Sequence, residues 1–303
     1  MFSFNLELAH VNVWWPGLLL LGLFIGFLTG MFGVGGGFLL TPFLNIFFGI
    51  SYPIAVGSGL AQIFVTGAVS AWKHWRNRNV DPLLGIIMAG GALGGTEVGV
   101  RLLKLLSLGG SIVINGRNLV FQDMLMSVLF LVLMILVAVH ILRESTTNNS
   151  EEAASVIAEN LQNYCIRPMI SFPLSGIVSI SIWIPLVASF IVGILTGLMG
   201  VGGGFIAFPL LVYVLGVPTV VAVGTSAFQI LFSTGYGALR HAGQDHVNLI
   251  LVGLLLCGSL IGVQLGVYAT KFFGGHQIRR HFAYVIGLGI IVILWDFVRK
   301  TIF

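Results

Sequence analysis

Charge is scarce in this chain. Asp, Glu, Lys and Arg make up 8% of its 303 residues, against about a quarter in a soluble domain. A water-facing surface of ordinary size is therefore excluded, and a bilayer takes its place. Cysteine is almost missing. Cys165 and Cys257 are too few and too differently placed for a disulfide framework or a thiolate metal site, and Cys257, inside an apolar run, reads as a small packing residue. The amino-terminal stretch MFSFNLELAH carries Glu7 and no Lys or Arg, so it lacks the basic start of a cleavable leader, and the first apolar run is expected to stay in the mature protein. A net charge of +4 is too small for a nucleic-acid surface and fits the basic excess of loops that flank membrane spans. The apolar runs also lack paired carboxylates, a metal-ligand cluster and a nucleophile–base set, which argues against an enzyme; no metal or other cofactor is implied.

What is present is apolar length. Hydrophobic residues make up 57% of the chain. Runs near the roughly 20 residues that cross a bilayer lie at Val13–Phe32, Ile54–Trp72, Leu83–Leu106, Leu119–Leu142, Ile182–Met199, Val220–Leu239, Leu249–Thr270 and Phe282–Phe297. Two shorter runs, Phe38–Ile50 and Phe205–Val217, suit half-helices or short tilted spans. The chain is expected to be an all-α polytopic membrane protein.

Sliding the sequence against itself by 167 residues shows a duplication. GFLTGMFGVGGGFLLTPFL from Gly26 aligns with GILTGLMGVGGGFIAFPLL from Gly193, and 21 of the 56 positions up to Asp81 and Asn248 are identical without a gap. The register continues through Lys104 and Lys271 and sets the glycine ladder Gly91, Gly95, Gly99 on Gly258, Gly262, Gly266. This divides the chain into a first repeat, 1–142, a polar extramembrane linker, 143–180, with a short helix expected near Glu151–Gln162, and a second repeat, 181–303. Each repeat has four to five membrane segments. If the short runs cross fully, a half has five spans and the second half is inverted; if they turn back, a half has four and the halves are parallel. With Lys73–Arg78 inside, either arrangement puts eight Lys or Arg inside and six outside, so the positive-inside rule leaves the choice open.

Both short runs follow the same knot, GVGGG, at Gly33–Gly37 and at Gly200–Gly204. Non-helical backbone at membrane depth is tolerated only where protein buries it or it lines a watery cavity. Consecutive glycines fit no helix-packing period, unlike the ladders spaced four apart, which read as close-packing faces. They permit positive φ and leave bare N–H groups. The helices restarting after each knot would aim their N-termini at the gap, where an anion is favoured. The expected binding residues are therefore Gly33, Gly35, Gly36 and Gly37 with Gly200, Gly202, Gly203 and Gly204. No GK[ST] follows either knot, which excludes a nucleotide-phosphate loop.

The stretches LTGMFGVGGGFLLTPFL and LTGLMGVGGGFIAFPLL, with AVGSGLAQIF and AVGTSAFQIL after them, resemble the duplicated motifs of the sulfite exporter TauE/SafE family of membrane permeases. The resemblance implies a multi-pass carrier of a bacterial cytoplasmic membrane, taking small sulfur-containing or organic anions such as sulfite, sulfonates or sulfoacetate and driven by an ion gradient. A passive anion channel is the nearest alternative, an intramembrane enzyme or assembly partner a further one. Its partners would be a small anion and the lipid bilayer; the oligomeric state stays open.

Four polar residues extend the site. Ser58 and Thr225 correspond across the repeat, and each precedes Gln62 or Gln229 by one helical turn, so hydroxyl and amide share a face. Such neutral donors can bind an oxyanion without a buried cation, though an interhelical clasp fits the hydroxyls equally. Coupling or gating candidates are His74 and His241, which also suit headgroup-level positions beside Trp72 and Trp75, and Glu97, whose repeat partner is the neutral Gln264 and whose neighbour one turn on is Arg101.

Overall fold

The computed structural model describes residues 3–6, 11–106, 111–114, 117–146 and 166–302; the expected linker helix near Glu151–Gln162 and Cys165 lie outside them. Among the described residues ten helices form the body: α1 (Trp15–Phe32), α2 (Gly37–Phe48), α3 (Tyr52–Arg76), α4 (Pro82–Leu106), α5 (Phe121–Thr146), α6 (Trp183–Met199), α7 (Gly204–Pro209), α8 (Thr219–Ala242), α9 (Leu249–Ala269) and α10 (Gly275–Ile302). Among the described residues five helices, α1, α3, α4, α9 and α10, are long and apolar enough to cross a membrane. Among the described residues there are also three two-stranded hairpins: β1–β2 (Ser3–Leu6, Val11–Trp14) before α1, β3–β4 (Ser111–Ile114, Arg117–Val120) between α4 and α5, and β5–β6 (Met169–Phe172, Ile177–Ser181) before α6. The apolar run expected from Leu119 thus begins as strand and turns helical at Phe121.

Glycine sets the closest helix contacts. Gly22, Gly26 and Gly30 of α1 lie against the backbone of Leu255, Ser259 and Val263 in α9, and Gly258, Gly262 and Gly266 return the contact to Leu19, Leu23 and Phe27. Both series rise together, so α1 and α9 are parallel. The same holds for α4 and α6, where Gly91, Gly95 and Gly99 meet Leu186, Phe190 and Ile194. A side chain at any of these positions would push backbone from backbone, which is why small residues concentrate there. Cys257 faces outward; contrary to the expectation of a packing role, it lies off the seam that its neighbour Gly258 forms.

Helices α3 and α8, which correspond through the 167-residue offset, run antiparallel. Gly224, near the start of α8, packs on His74 at the end of α3 and on Asn79 just beyond it, while Gly57, near the start of α3, packs on His241 at the end of α8 and on His246 just beyond it. Two matched hydrogen bonds fix the crossing. The Asn248 N–H donates to Ser58 Oγ at 2.9 Å and the Asp81 N–H to Thr225 Oγ1 at 3.0 Å. Asn248 then caps α9 by accepting from the N–H groups of Ile250 and Leu251.

The segments after the knots differ. α2 continues through Pro42 for 12 residues. After α7 the backbone widens into a π-helical stretch, Leu210–Val214, directly behind Pro209. A proline lacks the N–H for the i−4 bond, and a longer-range bond is one way to close the resulting gap. The half-helix expected over Phe205–Val217 is therefore two pieces.

Candidate functional site

Each knot ends one helix and starts another. Gly33 closes α1 with φ 64° and its N–H bonded to the Thr29 carbonyl, and Gly36, also at φ 64°, precedes α2. Gly200 and Gly203, at φ 69° and 81°, do the same between α6 and α7. Gly35 and Gly202 share a φ of 76°. These left-handed conformations are the reason for the glycines, since an L side chain there is strained. All ten knot residues are buried. The N–H groups from Val34 to Phe38 and from Val201 to Phe205 donate to no described acceptor.

The two knots meet. Gly37 lies against the Gly200 carbonyl, with a Cβ placed on it 2.8 Å from the Val201 carbonyl carbon, and Gly204 lies equally close to Val34 and the Gly33 carbonyl. Between them sit two side chains that sequence reasoning passed over, Ile63 of α3 and Ile230 of α8. A Cβ on Gly35 would stand 2.8 Å from Ile63 Cγ2 and one on Gly202 3.2 Å from the same atom, while Gly204 faces Ile230. Gln62 and Gln229 are the residues just before these isoleucines. Both are fully buried, and neither side-chain oxygen nor nitrogen has a hydrogen-bond partner. Leaving a buried amide unpaired costs roughly 1–3 kcal/mol, so two of them at equivalent positions are a strong departure from ordinary packing.

Ser58 and Thr225 accept the crossing bonds from the Asn248 and Asp81 N–H groups. At the first knot it is Ser226 instead whose hydroxyl donates to the Gly33 carbonyl at 3.0 Å. Its signal was available, because Ser226 precedes Gln229 by three residues and shares its face. Gly36 and Gly203 present their missing side chains to α1 and α6: a Cβ on Gly36 would stand 2.6 Å from Ile25 Cγ2, and one on Gly203 2.6 Å from Thr196 Oγ1.

The histidines are buried within the protein, unlike the exposed Trp72 and Trp75 beside His74. His74 and His241 are fully buried; Nε2 of His74 is 3.2 Å from the Gly30 carbonyl and Nε2 of His241 3.4 Å from that of Gly197. His74 Nδ1 has no partner, whereas His241 Nδ1 is 3.2 Å from Nδ1 of His246. Burial pushes the His246 imidazole, in the loop between α8 and α9, below its usual range, while Asp245 pulls it up. Glu97 has more partners than Arg101 alone, which bonds it at 2.7 Å. Arg240 Nε and Tyr236 Oη each donate to its other oxygen at 2.8 Å. The symmetry-matched contact between the halves is a bond from Lys73 Nζ to Gln264 Oε1 at 3.4 Å.

An apolar groove of about 710 Å³ opens on the side of the α3–α8 pair that carries Ala61, Phe64, Phe232, Gly235 and Ala242, not the side carrying Ile63. Among the described residues no group of His, Cys, Asp and Glu could hold a metal ion.

The profile of the family described as Sulfite exporter TauE/SafE matches residues 18–293, and so takes in both knots. The probable membrane transporter protein YunE of Bacillus subtilis (strain 168) is 28% identical over 261 residues, covering 84% of this chain and 88% of that protein. A second from the same organism, probable membrane transporter protein YjnA, is 28% identical over 89% of this chain and 95% of its own length. Sulfite exporter TauE/SafE family protein 1 of Arabidopsis thaliana is 29% identical over 38% of this chain and 25% of that protein. No solved structure matches. With a family match over nearly its whole length and transporter relatives aligned over more than four-fifths of each chain, this multi-pass cell-membrane chain belongs to the sulfite exporter TauE/SafE family of membrane transporters.

Proposed function

We propose that the chain is a secondary transporter of small anions, of the sulfite, sulfonate or sulfoacetate type, that binds its substrate where the two knots meet. The observation that carries this is the pair of fully buried glutamine amides, Gln62 and Gln229, left without partners, each one residue before an isoleucine that packs on the knots. The unbonded N–H groups of both knots add donors, and the N-terminus of α2 adds partial positive charge. No described Lys or Arg is buried, so the site would hold a charge with neutral dipoles alone, and a bound anion would satisfy groups that otherwise stay unpaired.

The antiparallel α3–α8 crossing supports inverted halves, and a closed, buried site between them is what alternating access requires: each face opens in turn as one half rocks against the other. For ion coupling we favour His74, whose buried Nδ1 is unpartnered, over Glu97, which two arginines already neutralise.

The test is flux of sulfite and organic sulfonates in proteoliposomes with and without an imposed pH gradient. Uptake that accumulates against concentration and collapses with the gradient is expected. Flux that only follows the substrate gradient, with no exchange, would make the chain a passive channel.

A further inference from the structure

Five buried threonines in the helices of this chain, Thr29, Thr66, Thr96, Thr196 and Thr234, return their hydroxyl to the carbonyl one turn back, at 2.7 to 3.1 Å. Thr41 breaks the pattern. It is fully buried in the middle of α2, and its Oγ1 has no partner. The carbonyl it would ordinarily meet is that of Gly37, at the mouth of the first knot. The hydroxyl turns instead toward α3: a Cβ built on Gly59 would stand 3.8 Å from Thr41 Oγ1. Gly59 lies three residues before Gln62, on the same helical face. The absence of a side chain at Gly59 thus leaves the Thr41 hydroxyl facing the strip of α3 that leads to the unpaired amide.

The other half lacks this arrangement. The counterpart of Thr41 is Phe208, fully buried with its ring centroid 5.3 Å from that of Phe282. The counterpart of Gly59 is Ser226, whose hydroxyl is bound to the Gly33 and Val223 carbonyls. One half therefore offers a free hydroxyl, the other an aromatic ring and a hydroxyl already engaged.

We propose that Thr41 is a third side-chain ligand of the substrate, donating to an oxygen of the oxyanion and drawing its charged end toward the α2–α3 side of the site. This rests on the reading of the knots and glutamines as the anion site. A buried hydroxyl with no partner is a cost to the empty protein, and a ligand oxygen removes that cost. Its counterpart in the other half, Phe208, would meet whatever apolar part an organic anion carries.

The test uses the purified full chain, with calorimetric affinities for sulfite, sulfate, ethanesulfonate and acetate, and thermal unfolding of the same samples without anion. Thr41→Val keeps the shape and removes the hydroxyl. It should weaken the tightest of the four anions by roughly ten- to a hundredfold, as expected for a hydrogen bond to a charged group, while leaving the unfolding temperature unchanged or higher. Thr41→Ser should keep most of the affinity. A merely structural threonine would give the reverse, a lower unfolding temperature with affinity intact. If Gln62→Leu weakens binding and Thr41→Val does not, the proposal is overturned and the site reading stands. If none of the four anions binds the wild-type chain, or binding survives Gln62→Leu, Gln229→Leu and Thr41→Val alike, the site reading fails and takes the role of Thr41 with it.

Discussion

The unpaired amides of Gln62 and Gln229 set function against stability at single positions. Replacing either with Leu removes a buried, unsatisfied group, so the anion-free protein should gain roughly 1–3 kcal/mol, read as a rise in unfolding temperature. The same change should weaken anion binding by about 1–3 kcal/mol if a hydrogen bond to a charged group is lost, read by calorimetry. A fall in unfolding temperature for both variants would show that the amides have partners after all. These residues were legible in the sequence because both repeat copies keep them in apolar helices. Ser58 and Thr225 were equally visible but engage helix starts across the crossing, and no one-dimensional spacing separates a hydroxyl that meets a ligand from one that meets a backbone N–H. Ile63 and Ile230 were invisible for a different reason: an isoleucine in a membrane helix carries no signal until its neighbours are known.

At the scale of elements, the glycine ladders and the knots use the same residue for different purposes. Gly95 lies against the Phe190 carbonyl, whereas Gly90, on the outer side of the same helix, has nothing within 4 Å of a Cβ built on it. Gly95→Leu should force α4 from α6 and lower the unfolding temperature by an amount corresponding to about 1–3 kcal/mol or more, while Gly90→Leu should leave it nearly unchanged. Equal effects would mean that the seam does not hold the helices together. Spacing of four made the ladders readable as helix faces, but not their partners, because α1 packs on α9 and α6 on α4, helices that are not neighbours in sequence. The loop between α8 and α9 adds a dependence on pH. His246 has its imidazole pulled down chiefly by burial, so on acidification the unfolded chain takes up this proton first, near the ordinary value of about 6.5. Stability is then lost as pH falls below that value toward the folded one. Unfolding temperatures measured from pH 7.5 to pH 5 should fall on the acid side, and His246→Asn should flatten that fall; an unchanged slope in the variant would assign the effect to other groups.

On the scale of the whole molecule, the two halves are joined by clasps of unequal strength. Glu97 of α4 is bonded to Arg240 and Tyr236 of α8, while the matching contact is the single bond from the Lys73 ammonium to the uncharged amide of Gln264. With its charge matched by two guanidinium groups, Glu97 is built as a fastener. Glu97→Gln should therefore keep transport and its response to a pH gradient while weakening the hold between halves; loss of the gradient response in proteoliposomes would instead make Glu97 the proton carrier. The exchange of partners between halves also bears on how the chain is made. α1 emerges first, yet the glycine face at Gly22, Gly26 and Gly30 is matched by α9, more than two hundred residues later. Until the ribosome has released that segment, the first helix must wait in the membrane with its closest-packing surface uncovered. A chain cut short before Leu249 would keep that surface bare for good, giving the cell's membrane proteases a plain mark of an unfinished transporter.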